Sequence, residues 1–132
     1  MIKELSIPTR SRTELVRIDH QVMAVVKESG VNDGMCHLWV PHTTAGVTIN
    51  ENADPSVVRD ILYEMEKVIP FQDGYHHTEG NSAAHIKSSL FGASLSLVIT
   101  GGKLLLGTWQ SVYFCEFDGP RSRKCYVQVL HC

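Results

Sequence analysis

Residues 94–117 read SLSLVITGGKLLLGTWQSVYFCEF and predict two β-strands joined by a tight turn. Residues 94–100 alternate serine and leucine and then become fully apolar, which is typical of a strand. Gly101 and Gly102 favour a hairpin turn, because glycine adopts the positive φ angles that such turns require. Residues 104–117 then continue as a strand, so this part of the chain predicts antiparallel sheet.

The remainder of the second half extends this β-rich pattern. Gly107 indicates a bulge or a close backbone approach within the second strand. Residues 118–120 are Asp-Gly-Pro and predict a turn, and residues 123–130 predict a final strand. We therefore expect the second half of the chain to form an antiparallel meander.

The first half begins with β-structure and an amphipathic helix. Residues 2–8 alternate weakly and predict an edge strand that ends at Pro8. A helix of about three turns, closed by Gly30, is indicated by apolar residues at helical spacing. These apolar residues are Ile18, Val22, Val25 and Val26. Residues 35–40 predict a strand, and residues 45–49 predict its return or its continuation.

A second helix follows the pair Asp54-Pro55. Aspartate accepts free amide hydrogens at a helix start, and proline at the first helical position loses nothing by lacking a donor. We expect capping to be the role of Asp54, although a functional role is the alternative. One apolar stripe follows, and the helix should end before Pro70. The stripe consists of Val57, Val58, Ile61, Leu62 and Met65.

A third, shorter helix is predicted over residues 82–90, capped by Asn81 or Ser82 and closed by Gly92. Helices in the earlier part of the chain and strands in the later part predict an α+β fold. We expect a single domain over residues 1–132, with antiparallel β-sheets and two to three helices.

The composition is that of an ordinary globular chain, with 43% hydrophobic and 20% charged residues. The formal net charge is −2, so no overall field favours nucleic acid or an anionic membrane as a partner. No apolar run reaches the length of a membrane span and no signal peptide is recognised, so we expect a cytoplasmic protein. The four cysteines form no Cys-x-x-Cys pair, and Cys36 and Cys115 are expected to be buried free thiols.

Three histidines, His42, His77 and His85, lie in polar and non-repetitive stretches of the chain. Neutral imidazole is a common ligand for transition metals and a frequent proton-transfer group. If the fold brings the three rings together, they form a metal-dependent active site. At most one of the adjacent His76 and His77 is expected to face such a site. The spacing matches no local metal motif, and a single buried imidazole is the alternative for His85.

Other polar side chains accompany these histidines. Thr43 and Thr44 follow a strand end and are placed to face a cleft. Glu51 is a candidate base, ligand or orienting partner for an imidazole, with a solvated loop carboxylate as the equal alternative. Asn81 and His85 share one helical face, which suits a polar pocket that holds a ligand.

Charged residues gather again between Glu116 and Arg123. Glu116 and Asp118 lie close in sequence to Arg121 and Arg123. This cluster of opposite charges has two interpretations. One is an ion-pair network that closes a turn. The other, which we favour, is an anion site, because the arginine fork matches phosphate oxygens and Lys87 could add a third positive group. Trp109 is most simply a core or interface anchor.

Four segments together resemble the YjbQ family, often labelled secondary thiamine-phosphate synthase. They are PHTTA at 41–45, NENADP at 50–55, the helix region 81–92, and the run 106–123. The last run contains LGTWQ followed by EFDGPR, which is highly specific. The resemblance spans nearly the whole chain and preserves the order of the segments.

The resemblance implies a compact α+β domain assembled as a homotrimer, with three histidines that hold a metal, often zinc. The ligands carry over to His42, His77 and His85, and the aromatic-spacer-histidine pattern at 75–77 selects His77 over His76. Other family positions are matched as well. They are Glu51, Asn81, Lys87, Gln110, Glu116 and Arg121.

The family label implies joining a pyrimidine pyrophosphate to a thiazole phosphate with loss of pyrophosphate. We therefore expect a metal-dependent enzyme on a small phosphorylated metabolite, using zinc, with magnesium as an alternative in turnover. The catalytic candidates are Glu51, Glu116 and Lys87. The substrate-binding candidates are Thr43, Thr44, Asn81, Gln110, Arg121 and Arg123. A metal-dependent hydrolase and a non-catalytic trimer that binds metal or an anionic metabolite are the alternatives.

Overall fold

The computed structural model describes all residues 1–132, which form eight β-strands and three α-helices. In chain order the elements are β1 (Ile2–Pro8), β2 (Glu14–Arg17), α1 (Asp19–Ser29), β3 (Gly34–Trp39), β4 (Ala45–Glu51), α2 (Pro55–Val68), α3 (Ser82–Phe91), β5 (Ser94–Thr100), β6 (Lys103–Leu104), β7 (Gln110–Glu116) and β8 (Ser122–His131). The predicted α+β class with antiparallel sheets and three helices is confirmed.

The strands form two separate antiparallel sheets. The five-stranded sheet has the order β1-β8-β3-β5-β6, and the three-stranded sheet has the order β2-β7-β4. Strand β1 is an edge strand, as its weak alternation predicted. In the three-stranded sheet Ala45 pairs with Glu116 and Glu51 pairs with Gln110, so β4 and β7 run alongside each other in opposite directions.

The structure corrects two predicted connections. Beyond the hairpin of β5 and β6 the meander is wrong, because the chain leaves that sheet after Leu105 and β7 lies in the other sheet. Residues 45–49 are neither a return nor a continuation of β3, because β4 also belongs to the three-stranded sheet. Periodicity identifies a strand but carries no information about which sheet the strand joins.

One hydrophobic core joins both sheets and α1. Alternate residues of β3 and β8, such as Leu38 and Val127, contact the same buried cluster as Phe114 of β7 and Val22 of α1. The period of two along each strand sends these side chains to one face. A smaller cluster with Cys115 lies on the opposite face of β7, on the side of α3.

The helices differ in how they are buried. Helix α1 ends at Gly30 in the left-handed conformation (φ 70°) and buries Val22, Val25 and Val26. Helix α3 lies on β4, where Ser88 Oγ donates to the Ala45 carbonyl at 2.7 Å. No residue of α2 is buried, and that helix makes only slight contact with the other elements. None of the three helices combines the length and apolarity needed to span a bilayer.

Candidate functional site

The structure brings two of the predicted histidines together. The rings of His77 and His85 lie with their centroids 5.4 Å apart and their planes nearly perpendicular. Both line an open cleft of about 490 Å³, which we call the histidine-pair cleft, at the start of α3. It is completed by Gly74, Tyr75, His76, Ser82 and Ile86. His85 reaches the cleft because it lies in the first half of α3, one turn after the start of the helix.

His77 and His85 are close enough to be considered as metal ligands, whereas His42 does not join them. Two imidazoles bound tetrahedrally at about 2.0–2.1 Å have ring centroids about 5 Å apart, close to the arrangement of His77 and His85. His42 lines a different cleft that shares no residue with theirs. No group of three histidine, cysteine or acidic side chains is placed to hold a metal ion within the chain. The chain by itself therefore does not bring His42, His77 and His85 together, as the sequence suggested, and only His77 and His85 meet.

His42 lines a second cleft of about 520 Å³, which we call the His42 cleft. Thr43, Arg121 and part of Arg123 also line it. The full lining is Trp39, Val40, Pro41, His42, Thr43, Thr44, Ala93, Arg121 and Arg123. The connection from β3 to β4 and the turn before β8 supply most of these residues, which is why side chains distant in sequence meet there.

The His42 ring is held in one orientation. Its Nε2 atom accepts the backbone N–H of Lys124 at 3.0 Å, and its edge packs on Phe114 with centroids 6.5 Å apart. Partial burial and the positive charges of Arg123 and Arg121 lower the pKa of His42, against the opposing effect of Glu116. The ring is accordingly neutral at neutral pH.

Glu116 and Arg123 form a buried ion pair between the two sheets. Glu116 is 0% exposed and Arg123 only 3% exposed. Arg123 donates through Nε to Glu116 Oε1 at 2.8 Å and through Nη2 to the other carboxylate oxygen and to Thr44 Oγ1. Thr9 Oγ1 also donates to Glu116, at 2.7 Å. For this pair the structure shows the ion-pair network, and neither charge is open to a ligand.

Burial alone would raise the pKa of Glu116. The hydrogen bonds from Arg123, from Thr9 and from the Asp118 backbone N–H outweigh that effect, so the pKa lies below its usual range. Glu116 is therefore an ionised structural carboxylate in the folded chain.

Hydrogen bonds to Asp118 link Arg121 with the residue that precedes α3. Arg121 donates through Nε to the Asp118 carbonyl and through Nη2 to the Asp118 carboxylate, at 2.9 and 3.2 Å. Asn81 donates to the same carboxylate oxygen at 2.9 Å. Asn81 directly precedes Ser82, which lines the histidine-pair cleft, and Arg121 lines the His42 cleft, so Asp118 links a residue next to one cleft with a residue of the other. The Arg121 side chain stays 51% exposed, so part of its guanidinium faces solvent.

The Lys87 side chain is buried and ion-paired. It is only 2% exposed, and its ammonium pairs with Glu66 of α2 at 3.0 Å. It lines neither cleft and connects α3 with α2 instead. It does not supply the third positive group that the sequence suggested for an anion site.

Glu51 and Gln110 lie at the far end of the three-stranded sheet. Strand β4 separates Glu51 from Ala45 by about 20 Å, at about 3.3 Å per residue, so Glu51 is remote from His42 in the same chain. Gln110 Oε1 accepts the Gly107 N–H at 2.7 Å and closes a turn. Trp109 is 62% exposed, so its predicted core position is wrong, while an interface position remains a prediction.

Several residues of this region were missed from the sequence. Thr9 completes the Glu116 network from a part of the chain more than a hundred residues away. Tyr75 and Ser82 line the histidine-pair cleft. The local sequence gives no indication of the role of Thr9, because a single threonine after a strand is common. Ser82 was easier to find, because it lies in the polar stretch between His77 and His85.

The protein is thus a compact α+β domain of two antiparallel sheets. It carries a pair of neighbouring imidazoles and a separate cleft lined by Arg121. A family model described as UPF0047 protein YjbQ-like matches residues 3–132. The chain belongs to this family, which confirms the resemblance seen in the sequence motifs.

Individual relatives agree over nearly the full length. The chain is 49% identical to the UPF0047 protein YugU of Bacillus subtilis over 98% of this chain and 99% of that protein. It is 52% identical to UPF0047 protein MJ1081 of Methanocaldococcus jannaschii over 98% of this chain and 94% of that protein.

Solved structures give the same fold. A conserved YjbQ/UPF0047 family protein from Clostridium acetobutylicum superposes with a TM-score of 0.96 at 54% identity, covering 97% of this chain and 99% of that chain. A YbjQ-like protein from Sulfolobus solfataricus gives a TM-score of 0.96 at 31% identity, covering 100% and 97% of the two chains.

Proposed function

We propose that the protein is a metal-dependent enzyme that acts on a small phosphorylated metabolite, with thiamine-phosphate synthase as the first candidate activity. One observation carries the proposal: the His77 and His85 rings lie 5.4 Å apart, and Asp118 links Asn81, at the start of the helix that carries His85, to the half-exposed Arg121 of the His42 cleft. Neighbouring cation and anion sites suit chemistry at a phosphoryl or diphosphate group.

His77 and His85 are the residues that would hold the metal, zinc being the expected ion and magnesium an alternative in turnover. When bound, a divalent cation would act as a Lewis acid on a phosphoryl oxygen. Arg121 would bind the negative charge of the substrate, and Asp118 would orient the arginine. Asn81 would hold Asp118 in place from the start of α3.

Assembly as a homotrimer is part of this proposal. The sequence resemblance implies roles for Glu51 and Gln110, yet they lie at the other end of β4 and β7 from the His42 cleft in the same chain. A neighbouring subunit could present that end to the histidine-pair cleft and bring Glu51 within reach as a base. A cytoplasmic location agrees with free, buried cysteines.

The test combines metal analysis with complementation. After removal of metal by a chelator and reloading, we expect one zinc ion per chain in the unaltered protein and in His131→Ala, and a loss of at least tenfold in zinc affinity in His85→Ala. Rescue of a thiamine-auxotrophic strain that lacks its own synthase should be lost in the same variant, with its oligomeric mass unchanged. Rescue that persists in His85→Ala would contradict metal-dependent catalysis.

A hydrolase is the second candidate, because two imidazoles leave coordination positions open for an activated water. Zinc binding without rescue, together with zinc-dependent release of inorganic phosphate from phosphate monoesters, would favour it over the synthase. Zinc binding with neither activity would favour a non-catalytic trimer that binds metal or an anionic metabolite.

A further inference from the structure

We propose that His42 is not a metal ligand but a neutral hydrogen-bond donor in a phosphate-binding site, the His42 cleft, where its Nδ1–H donates to a phosphoryl oxygen. The inference rests on the proposed function, since it assigns the phosphoryl group of the substrate to one of the two clefts. It departs from the three-histidine set that the family resemblance implies.

The first step is the tautomer of His42. Its Nε2 accepts the Lys124 N–H at 3.0 Å, so that nitrogen carries no proton and its lone pair is already used. In a neutral imidazole the proton then lies on Nδ1. A metal ion needs a free lone pair, and neither ring nitrogen offers one in this arrangement.

The second step is why the arrangement is stable. Strand β3 ends at Trp39, which pairs with Tyr126 of β8. The N–H of Lys124 therefore lies beyond the last ladder position on that side and has no strand partner there. His42 Nε2 accepts this N–H in place of a strand carbonyl. If the His42 ring turned away, the Lys124 N–H would lose its hydrogen-bond partner. The contact with Phe114 holds the ring in the same position.

The third step is the charge around the cleft. Arg123 is neutralised by Glu116, and the Lys124 ammonium pairs with Glu4 at 3.4 Å. Arg121 gives Nε and Nη2 to Asp118, which leaves Nη1 without a protein partner. One half-exposed guanidinium and two neutral donors, the Nδ1–H of His42 and the Thr43 hydroxyl, match an oxyanion better than a cation. The lowered pKa of His42 agrees with this role, because the ring donates while it remains uncharged.

The ligand class follows from these donors. A tetrahedral oxyanion presents several acceptor oxygens and no donor when fully ionised, and all three groups facing it donate. A divalent cation would meet the guanidinium charge, which repels it, and an imidazole with no free lone pair. The phosphoryl group thus belongs in the His42 cleft and the cation beside it, in the histidine-pair cleft.

The experiment uses the intact protein with inorganic phosphate and zinc as separate probes. Long-range ¹H–¹⁵N spectra of labelled protein at neutral pH should show His42 protonated at Nδ1 alone, and added phosphate should shift its signals. His42→Leu should weaken phosphate binding at least tenfold, as expected for a lost hydrogen bond to a charged group. His42→Gln should recover part of the loss, because its amide can both accept from Lys124 and donate. His37→Leu, on the neighbouring strand and outside the cleft, is the control and should bind phosphate normally.

Zinc affinity separates this inference from the proposed function. We expect His42→Leu and His42→Gln to bind zinc within about twofold of the unaltered protein, whereas His85→Ala loses it. A parallel loss in the His42 and His85 variants would overturn the inference, as would an Nε2-protonated ring or an unaltered protein that does not bind phosphate. If the unaltered protein binds no zinc, the proposed function fails, and the spectra and the phosphate titrations still decide the role of His42.

Discussion

At the scale of single residues, the most buried polar groups of this chain are structural. Glu116 and Arg123 lie buried between the two sheets, and both carboxylate oxygens of Glu116 accept hydrogen bonds from Arg123. The sequence suggested Glu116 as a catalytic base and Arg123 as an anion-binding residue. In the structure they pair with each other instead, and Arg123 also donates to the Thr44 hydroxyl beside the His42 cleft.

Removing one partner of this pair should be costly. In Arg123→Met we expect a loss of about 3–5 kcal/mol in the free energy of unfolding, because the Glu116 carboxylate is left buried and uncompensated. Urea unfolding followed by circular dichroism measures the change. Arg121→Met, which breaks a half-exposed pair, is the control and should lose about 1 kcal/mol or less. Equal losses in the two variants would contradict the structural role of the buried pair.

The same carboxylate should make stability depend on acid pH. Because the folded state lowers the pKa of Glu116, its contribution to stability is present above the unfolded-state value of about 4.3 and is lost as the pH falls through the lower folded pKa. Urea unfolding between about pH 6 and about pH 3 should show this decline. Glu116→Gln should be less stable at the upper end and show a flatter dependence, and an unchanged slope would argue against the assignment.

The cysteines give a chemical test of burial. Burial raises the pKa of the Cys36 thiol to about 11 and that of Cys125 to about 12, and Cys115 is also shifted upward. Only Cys132 is exposed. A thiol reagent at neutral pH should therefore label one cysteine in the folded protein and four after denaturation, as counted by mass spectrometry. Rapid labelling of a second site in native buffer would be inconsistent with the core described above.

At the scale of elements, α2 shows how local and tertiary signals separate. Its start was predicted from Asp54-Pro55, and the structure confirms that Asp54 Oδ1 accepts the Ser56 N–H at 2.9 Å. Its apolar stripe was equally clear, but no residue of the helix is buried in the chain. A strong helical pattern thus predicts where a helix lies in the sequence, but it does not predict which element or subunit packs on the apolar side of that helix.

The cap of α2 should contribute measurably to stability. Asp54→Ala removes the acceptor for the Ser56 N–H, and we expect a loss of about 1 kcal/mol in the free energy of unfolding. Asp60→Ala, an exposed position in the same helix, is the matched control and should change stability by no more than about 0.5 kcal/mol. Thermal and urea unfolding both measure the difference. A loss of comparable size at both positions would show that capping is not the cause.

At the scale of the whole molecule, the exposed side of α2 bears on assembly. A helix with a half-exposed apolar stripe and slight contact with its own chain is typical of a subunit interface. The separation of Glu51 from the His42 cleft points the same way, because a second copy could bring another Glu51 to the site. Both features support the proposed homotrimer.

Disrupting the stripe should therefore break the assembly. We expect the unaltered protein to have three times the mass of one chain in light scattering after size-exclusion chromatography. In Leu62→Glu the mass should fall toward that of one chain, because a charge is placed in the apolar contact. Glu64→Lys, on the exposed polar side of α2, should keep the mass of the unaltered protein. A monomeric unaltered protein would exclude the homotrimer.

Much of the architecture was readable from local sequence. Strands β1, β3, β5 and β8 and all three helices lie within a few residues of the predicted ranges, because alternation, capping residues and terminal glycines act over short distances. The α+β class and the family resemblance followed from the same short-range signals and from their order along the chain.

Tertiary packing alone assigned β4 and β7 to a second sheet, buried the Glu116–Arg123 ion pair between the sheets, and placed His42 in a different cleft from His77 and His85. These outcomes depend on which buried surfaces meet and on which backbone donors lack a strand partner, as Lys124 does. Contacts such as Thr9 with Glu116 and His42 with Lys124 join residues far apart in the chain, so no short window of sequence contains them. Glu116 and Arg123 are only seven residues apart, but burial of their pair depends on how the two sheets pack. The sequence also does not show whether a histidine nitrogen faces a metal or a backbone N–H.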